Sequence, residues 1–110
     1  MNQITVSGNV GTEPELYQGD GWQSGTLNLA TEEKWKNKAG ETESETTWHK
    51  VKATGSIVNV IMQYVKKGDQ IAIVGKAKNR SYQRSDGSNA YEYFVALKDL
   101  QLLRGSKMNG

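Results

Sequence analysis

The chain has 110 residues, the size of one domain, and a formal net charge of +2 at pH 7. It contains no cysteine and a single histidine, His49, which excludes a disulfide scaffold, a zinc–cysteine site and a multi-histidine metal site. No apolar run reaches membrane-spanning length and the N-terminus has no signal-like apolar core, so we expect a cytoplasmic protein.

Charge is distributed unevenly along the chain. Residues 1–45 carry three lysines against eight acidic residues, whereas residues 46–110 carry eleven Lys or Arg against four acidic residues. A basic second half is typical of a protein that binds a polyanion, but a solvated surface with uneven charge explains it equally well. Charge alone leaves both interpretations open.

The first half of the chain predicts three strands. Alternating apolar residues indicate strands over 2–10, 26–36 and 46–55. The glycine-rich stretch before the second strand is interpreted as a loop, and the polar stretch 37–45 as a hairpin tip.

A change of period after the third strand predicts a short helix within 56–68. Apolar residues between Ile57 and Val65 recur at helical spacing. Ser56 is the expected N-cap, and Gly68 is the expected stop signal after two lysines.

The second half returns to strands, over 69–84 and 90–103, around a hairpin turn at Asp86–Gly87. Five strands with one helix between the third and the fourth predict an all-β fold, a five-stranded OB-fold Greek-key barrel. We expect one domain over 1–104 and a flexible end over 105–110.

Two of the predicted strands place aromatic and basic side chains on a shared face. Alternation in the third strand puts Trp48, Lys50 and Lys52 on one side and His49 on the other. The fourth strand repeats the pattern with a longer set of residues, Lys76, Lys78, Arg80, Tyr82 and Arg84. Cations contact phosphates and rings stack on bases, so these faces predict a surface for single-stranded nucleic acid. An ordinary solvated strand is the structural alternative.

Trp35 is less clear, because simple alternation places it on the core side of the second strand. It lies between Lys34 and Lys36 near the hairpin tip, where strands that outrun the barrel would have no core to face, and a bulge near Glu32–Glu33 would also turn it outward. We interpret Lys34, Trp35 and Lys36 as contact residues for nucleic acid. For Trp22, burial in the glycine-rich loop and ligand contact are equally consistent with the sequence.

Catalytic and cofactor-binding patterns are missing from the sequence. His49 has no cysteine partner and faces away from the basic side, and a packed or interface histidine is the better interpretation. Glu41, Glu43 and Glu45 have the pattern of a solvated hairpin tip. We therefore predict a protein that is not an enzyme and needs no metal or cofactor.

Four segments, in order and at the right spacing, resemble the bacterial single-stranded DNA-binding protein family. They are LATEEKWKNKAGE (29–41), ETTWHKV (45–51), YVKKGDQIAIVGKAKNRSY (64–82) and DGSNAYEY (86–93). The similarity runs from about residue 2 to residue 103. It implies an OB-fold homo-oligomer, most often a tetramer with a dimer as the alternative, that wraps single-stranded DNA during replication, repair and recombination.

The resemblance also implies roles for individual residues. The positions at which family members stack bases fall on Trp35, Trp48 and Tyr82, and a further position that is usually phenylalanine falls on Thr54. His49 matches a histidine associated with the subunit interface. Family members usually end in an acidic tip that recruits replication proteins, whereas this sequence ends in LLRGSKMNG. It is either part of a longer protein or a short plasmid- or phage-type relative, and recruitment through a tip is not expected from these residues.

Three other functions fit the same predicted fold. A primosome-type adaptor, in which protein contacts dominate, fits Thr54 and the basic end but has less need for three stacking rings. A domain that binds oligosaccharide or protein is disfavoured by the basic strands. RNA as the main ligand stays open, because stacking and phosphate contacts do not read the 2′-hydroxyl.

Overall fold

A computed structural model describes residues 1–105 and is mostly β-structure. In chain order, its elements are β1 (Ile4–Val10), β2 (Glu15–Gly19), β3 (Trp22–Lys36), β4 (Thr42–Thr54), α1 (Ile57–Tyr64), β5 (Gln70–Gln83) and β6 (Asn89–Arg104). The strands form one sheet in the order β1-β5-β6-β4-β3-β2.

The sheet closes on itself as a barrel because β1 pairs with strands on both sides. It runs antiparallel to β5 from Ile4 to Asn9 and also meets β3, where Val10 lies opposite Leu29. On the far side of the barrel β4 pairs in parallel with β6, with Val51 opposite Val95. This connectivity confirms the predicted Greek-key barrel of the OB type.

The structure has six strands where the sequence predicts five, because the segment interpreted as a loop contains β2. Pro14, with no backbone N–H to donate, lies in the break between β1 and β2. Both strands pair with β3, so together they occupy the place of a single bent first strand. The helix consequently lies between the fourth and fifth strands.

The core is built from the inward-facing residues of the barrel strands, as their alternation predicts. Leu27 and Leu29 of β3 and Val51 and Ala53 of β4 are buried. The rest of the core comes from residues of β1, α1, β5 and β6, among them Val6, Val10, Val58, Ile61, Ile71, Ile73 and Val95. The opposite faces of β4 and β5 are therefore free to contact solvent or a ligand.

The helix is shorter than predicted, and its caps differ from the predicted ones. It ends at Tyr64, because Val65 has extended backbone angles and inserts into the core. Ser56 is the N-cap residue, but its side chain makes no capping hydrogen bond. Lys66 lies in the following turn, where its N–H donates to the Asp69 carboxylate at 2.8 Å.

Two hairpins extend beyond the barrel as arms. In the β3–β4 arm every residue from Glu32 to Lys36 is exposed, and in the β5–β6 arm Asn79 to Gln83 are exposed. The β3–β4 tip is shorter than the predicted 37–45, since β4 begins at Thr42. Its Asn37 side-chain oxygen accepts the N–H groups of Ala39 and Glu41 at 2.9 and 3.0 Å, which fixes a compact turn.

No helix within residues 1–105 is long and apolar enough to cross a membrane. The predicted flexible end begins at Gly105, and its residues 106–110 lie outside the described part of the chain.

Candidate nucleic-acid interface

A basic groove of about 560 Å³ runs across the outer face of β2, β3, β4, β5 and β6. Strand register brings its lining together, because Lys52 of β4 lies opposite Ala96 of β6, and Lys78 of β5 lies opposite Phe94. Side chains at these positions share one face of the sheet. The lining also includes Ser24, Thr26, Ala53, Thr54 and Leu97.

Four of the predicted cations line this groove: Lys50, Lys52, Lys78 and Arg80. They lie far apart in sequence and come from two strands that are not neighbours, since β6 separates β4 from β5. The groove is therefore a single basic surface assembled from the two stripes that the sequence pattern indicates.

Glu92 of β6 lies among these cations. Its Oε2 is 2.6 Å from Lys50 Nζ, and its Oε1 is 2.8 Å from Lys52 Nζ and 3.2 Å from Arg80 Nε. Hydrogen bonds from Lys50 and then Lys52 lower the pKa of Glu92 from 4.5 to about 2, because they favour the ionised carboxylate. Alternation in the basic strands does not single out Glu92, although counting outward from the Asp86–Gly87 turn places it opposite Arg80.

Two aromatic residues of the groove were also missed. Phe94 lies beneath Lys52, whose Nζ is 4.6 Å from the ring centroid. Tyr17 lies on β2, the strand that was interpreted as a loop, and its hydroxyl donates to Glu15 at 3.0 Å. Thr54, where an aromatic residue was expected from the family resemblance, shares the groove with Phe94.

Trp48 lies on β4 two residues before Lys50 and is 60% exposed, on the face that alternation predicts. Its indole ring packs against Gly11, where a Cβ atom would overlap the six-membered ring. The absence of a side chain at Gly11 therefore allows one part of the ring to pack against the backbone, and the rest of the ring is exposed to solvent.

Tyr82 lies on β5 two residues after Arg80 and is also exposed. The Arg80 guanidinium carbon is 5.0 Å from the centroid of its ring, within the range of a cation–π contact. Arg80 therefore connects the groove to the aromatic ring on the β5–β6 arm.

Trp35 is exposed near the tip of the β3–β4 arm, flanked by Lys34 and Lys36. The pairing of β3 with β4 is continuous from Ser24 to Lys36, with Glu32 opposite Thr46 and Glu33 opposite Glu45. The bulge considered at Glu32–Glu33 is therefore ruled out, since both strands are described throughout. Trp35 therefore lies on the same face of β3 as the core residues Leu27 and Leu29. It is exposed because the arm extends beyond the barrel at this point.

The remaining predicted cations lie outside the groove. Lys34 is 3.8 Å from Glu32 in an exposed ion pair, and Lys36 is exposed at the end of β3. Lys76 is exposed opposite Ala96. Arg84 Nη1 donates at 3.4 Å to Ser88 Oγ and to the Asn89 carbonyl, and so helps to close the β5–β6 turn.

His49 and Trp22 both lie away from the groove. His49 is half-buried on the core side of β4, opposite Leu29, and its Nε2 is 3.2 Å from Thr31 Oγ1. Trp22 is the first residue of β3 and packs over Gly19 beside the turn of the β2–β3 hairpin. Much of its ring is exposed there. Among residues 1–105, no three His, Cys, Asp or Glu side chains group as a metal site.

Comparison with known proteins identifies the family. The model of the single-strand binding protein family matches residues 1–103. Single-stranded DNA-binding protein 1 of Xylella fastidiosa (strain 9a5c) is 31% identical over 105 residues, which cover 94% of this chain and 77% of that protein.

Solved structures agree with this result. A Plasmodium falciparum SSB in complex with ssDNA is similar at a TM-score of 0.82 and 29% identity, over 94% of this chain and 95% of that one. A deletion mutant of the Thermus aquaticus single-stranded DNA binding protein shares the fold at a TM-score of 0.81 and 21% identity, over 96% of this chain and 51% of that one. The chain belongs to the single-strand binding protein family.

Proposed function

We propose that the protein binds single-stranded DNA with little sequence preference along the basic groove. The observation that carries this proposal is the convergence of Lys50, Lys52, Lys78 and Arg80 on one surface, beside exposed aromatic rings. Cations at these positions contact the phosphates. Trp48 and Tyr82 provide stacking surfaces, each contributing about 1–3 kcal/mol per base.

The β3–β4 arm extends the proposed path beyond the groove. Trp35 supplies a third stacking ring, and Lys34 and Lys36, the residues before and after it in β3, supply phosphate contacts on the opposite face of the arm. Lys76 and Arg84 lie on the groove side of β5 and add positive charge at its margins. The exposure of Trp35 supports this extension, because large aromatic side chains are usually buried and exposed rings beside cations are typical of surfaces that bind single strands.

We infer that the protein works as a homo-oligomer, a tetramer or alternatively a dimer, with His49 at a subunit interface. Exposed aromatic surface supports this inference. Tyr91 and Tyr93 are exposed on the face of the β5–β6 arm opposite the groove, and tyrosine is enriched at protein–protein interfaces.

The proposed cellular role is the protection of single-stranded DNA during replication, repair and recombination, in the cytoplasm at the nucleoid. Residues 1–104 form the DNA-binding domain in this proposal. Membership in the single-strand binding protein family supports a binding role without catalysis.

Titration with oligo-dT, followed by intrinsic tryptophan fluorescence at low and moderate salt, tests the proposal. Quenching that saturates and weakens as salt rises is expected, because stacked indoles are quenched and phosphate contacts release counterions. Little quenching of a folded protein would instead favour the adaptor function.

A paired substitution tests the groove itself. In Lys78→Ala/Arg80→Ala, the slope of log K against log salt should flatten by about 1.4, since each phosphate contact on single strands contributes about 0.7. Lys66→Ala/Lys67→Ala, which removes two lysines after the helix, is the matched control and should leave the slope close to wild type. Equal slopes in the two variants would place the phosphate contacts elsewhere.

A further inference from the structure

Glu92 lies in the groove among the cations that the proposed function assigns to DNA phosphates. Its two carboxylate oxygens contact three cations, Lys50 and Lys52 of β4 and Arg80 of β5. A phosphate group binds the same donors through the same kind of charge-assisted hydrogen bond. The free protein therefore has an anion of its own between the cations that are proposed to bind DNA.

Burial differs between the carboxylate and its partners. The Glu92 side chain is 17% exposed, whereas Lys50 and Arg80 are 47% and 55% exposed. The carboxylate thus lies deeper in the groove than two of its cations, and those two remain accessible to a second anion from solvent. Lys52, at 26%, is intermediate.

Each of the three cations has N–H groups beyond those that contact Glu92. Each lysine ammonium carries three N–H groups and the guanidinium carries five, while the contacts with Glu92 use one nitrogen atom of each side chain. A phosphate can therefore bind on the exposed side by sharing the cations with Glu92 or by displacing it. In both cases the carboxylate opposes binding, since it repels the phosphate and cancels one positive charge.

We propose that Glu92 is a built-in competitor of the DNA phosphate, which lowers the affinity of the groove for single-stranded DNA. This inference rests on the proposed function. In this role Glu92 offsets the mutual repulsion of three neighbouring cations in the free protein. It also makes bound DNA easier to release.

Glu92→Gln removes the charge and keeps the shape of the side chain. Binding of oligo-dT should become about three- to tenfold tighter at low salt, as expected for the loss of one repulsive charge within the site. The slope of log K against log salt should steepen by about 0.7, because the groove then engages about one more phosphate. Asp99→Asn is the matched control, since it removes a charge on the same strand outside the groove and should change neither quantity.

Fluorescence anisotropy of labelled oligo-dT across a salt series, with thermal unfolding as a check on the fold, makes the measurement. Weaker binding by folded Glu92→Gln would overturn the proposal, since Glu92 would then orient the cations for DNA. Unchanged binding would also overturn it, because the carboxylate would then not compete with the phosphate. Glu92→Thr, which keeps a strand-forming residue, serves as the second variant if the glutamine protein does not fold.

Retention on a heparin column separates this inference from the proposed function, because heparin is a polyanion without bases. Later elution of Glu92→Gln than of both wild type and Asp99→Asn supports the competitor role even if oligo-dT fails to bind. Failure of wild type to bind oligo-dT counts against the proposed function, and co-elution of the three proteins from heparin counts against the role of Glu92.

Discussion

Trp35 and Trp48 lie on opposite faces of the β3–β4 hairpin. Trp48 lies opposite Ala30 and Trp35 opposite Glu43 in a register without a shift, so the two rings differ in parity. Five positions along β3 separate them, about 16 Å at ~3.3 Å per residue. A DNA strand that contacts both rings has to pass around an edge of the arm.

The separation predicts independent contributions from the two tryptophans. Trp35→Ala and Trp48→Ala should each weaken binding of oligo-dT by about 1–3 kcal/mol, through the loss of one stacking surface. The double variant should lose the sum within about 0.5 kcal/mol, as expected for distant sites. Anisotropy titrations of the four proteins measure this, and a double variant no weaker than Trp48→Ala would remove Trp35 from the DNA path.

Tyr82 and Tyr91 provide a matched pair on the β5–β6 arm. Tyr82 is on the groove face beside Arg80, whereas Tyr91 is on the opposite face and is the more exposed, at 76% against 43%. Tyr82→Ala should weaken oligo-dT binding by about 1–3 kcal/mol, and Tyr91→Ala should leave it unchanged at concentrations where the assembly is intact. Equal losses would show that DNA contacts both faces of the arm; sedimentation of each variant records its assembly state.

A substitution at Gly11 can shift the Trp48 ring while the tryptophan itself is kept. A Cβ on Gly11 would overlap the indole ring, which can shift because it is a side-chain end rather than backbone. Gly11→Ala should therefore keep the fold, alter the near-UV circular dichroism and weaken DNA binding by about 1 kcal/mol or more, through the loss of the ring's orientation.

Gly19→Ala is the control for that experiment. Its Cβ would overlap Trp22 in the same manner, but Trp22 lies outside the groove. The circular dichroism should change and the affinity should not. A loss of affinity as large as that of Gly11→Ala would assign Trp22 to the DNA path.

The ion pairs of Glu92 predict a pH dependence of stability. Because its pKa is lowered from 4.5 to about 2 in the folded protein, its contribution to the free energy of unfolding is fully present above pH 4.5. The contribution is lost as pH falls toward 2. The difference in Tm between wild type and Glu92→Gln should shrink to less than half between about pH 6 and pH 3. A constant difference would mean that the ion pairs do not stabilise the fold.

Alternation made the faces of β4 and β5 predictable. Trp48, Lys50 and Lys52 are on the outer face of β4, as expected, while Val51 is in the core. Side chains of a strand alternate with a period of two whatever the strand packs against, so the local sequence is sufficient for this inference. The hairpin at Asp86–Gly87 was predictable for a similar reason, since its turn depends on neighbouring residues.

Trp35 shows the limit of alternation. Its parity indicates burial, and only its place near the polar hairpin tip, where strands can extend past the barrel, indicates the exposure that the structure shows. The length of an arm beyond a barrel is set by the packing of the other strands, so it cannot be derived from the residues around Glu32–Glu33. β2 was missed for the same reason, because its pairing with β3 stabilises a segment whose own sequence favours a loop.

The sequence by itself determined the fold class, the family and the outward direction of two basic stripes, because these depend on periodicity and on motifs. Only the tertiary structure decided that the stripes meet in one groove, with β6 between them and Glu92 among their cations. Contacts between β4 and β6 join residues about forty positions apart, and their parallel register is set by closure of the whole barrel. The register between β4 and β6 therefore cannot be predicted from a local sequence pattern.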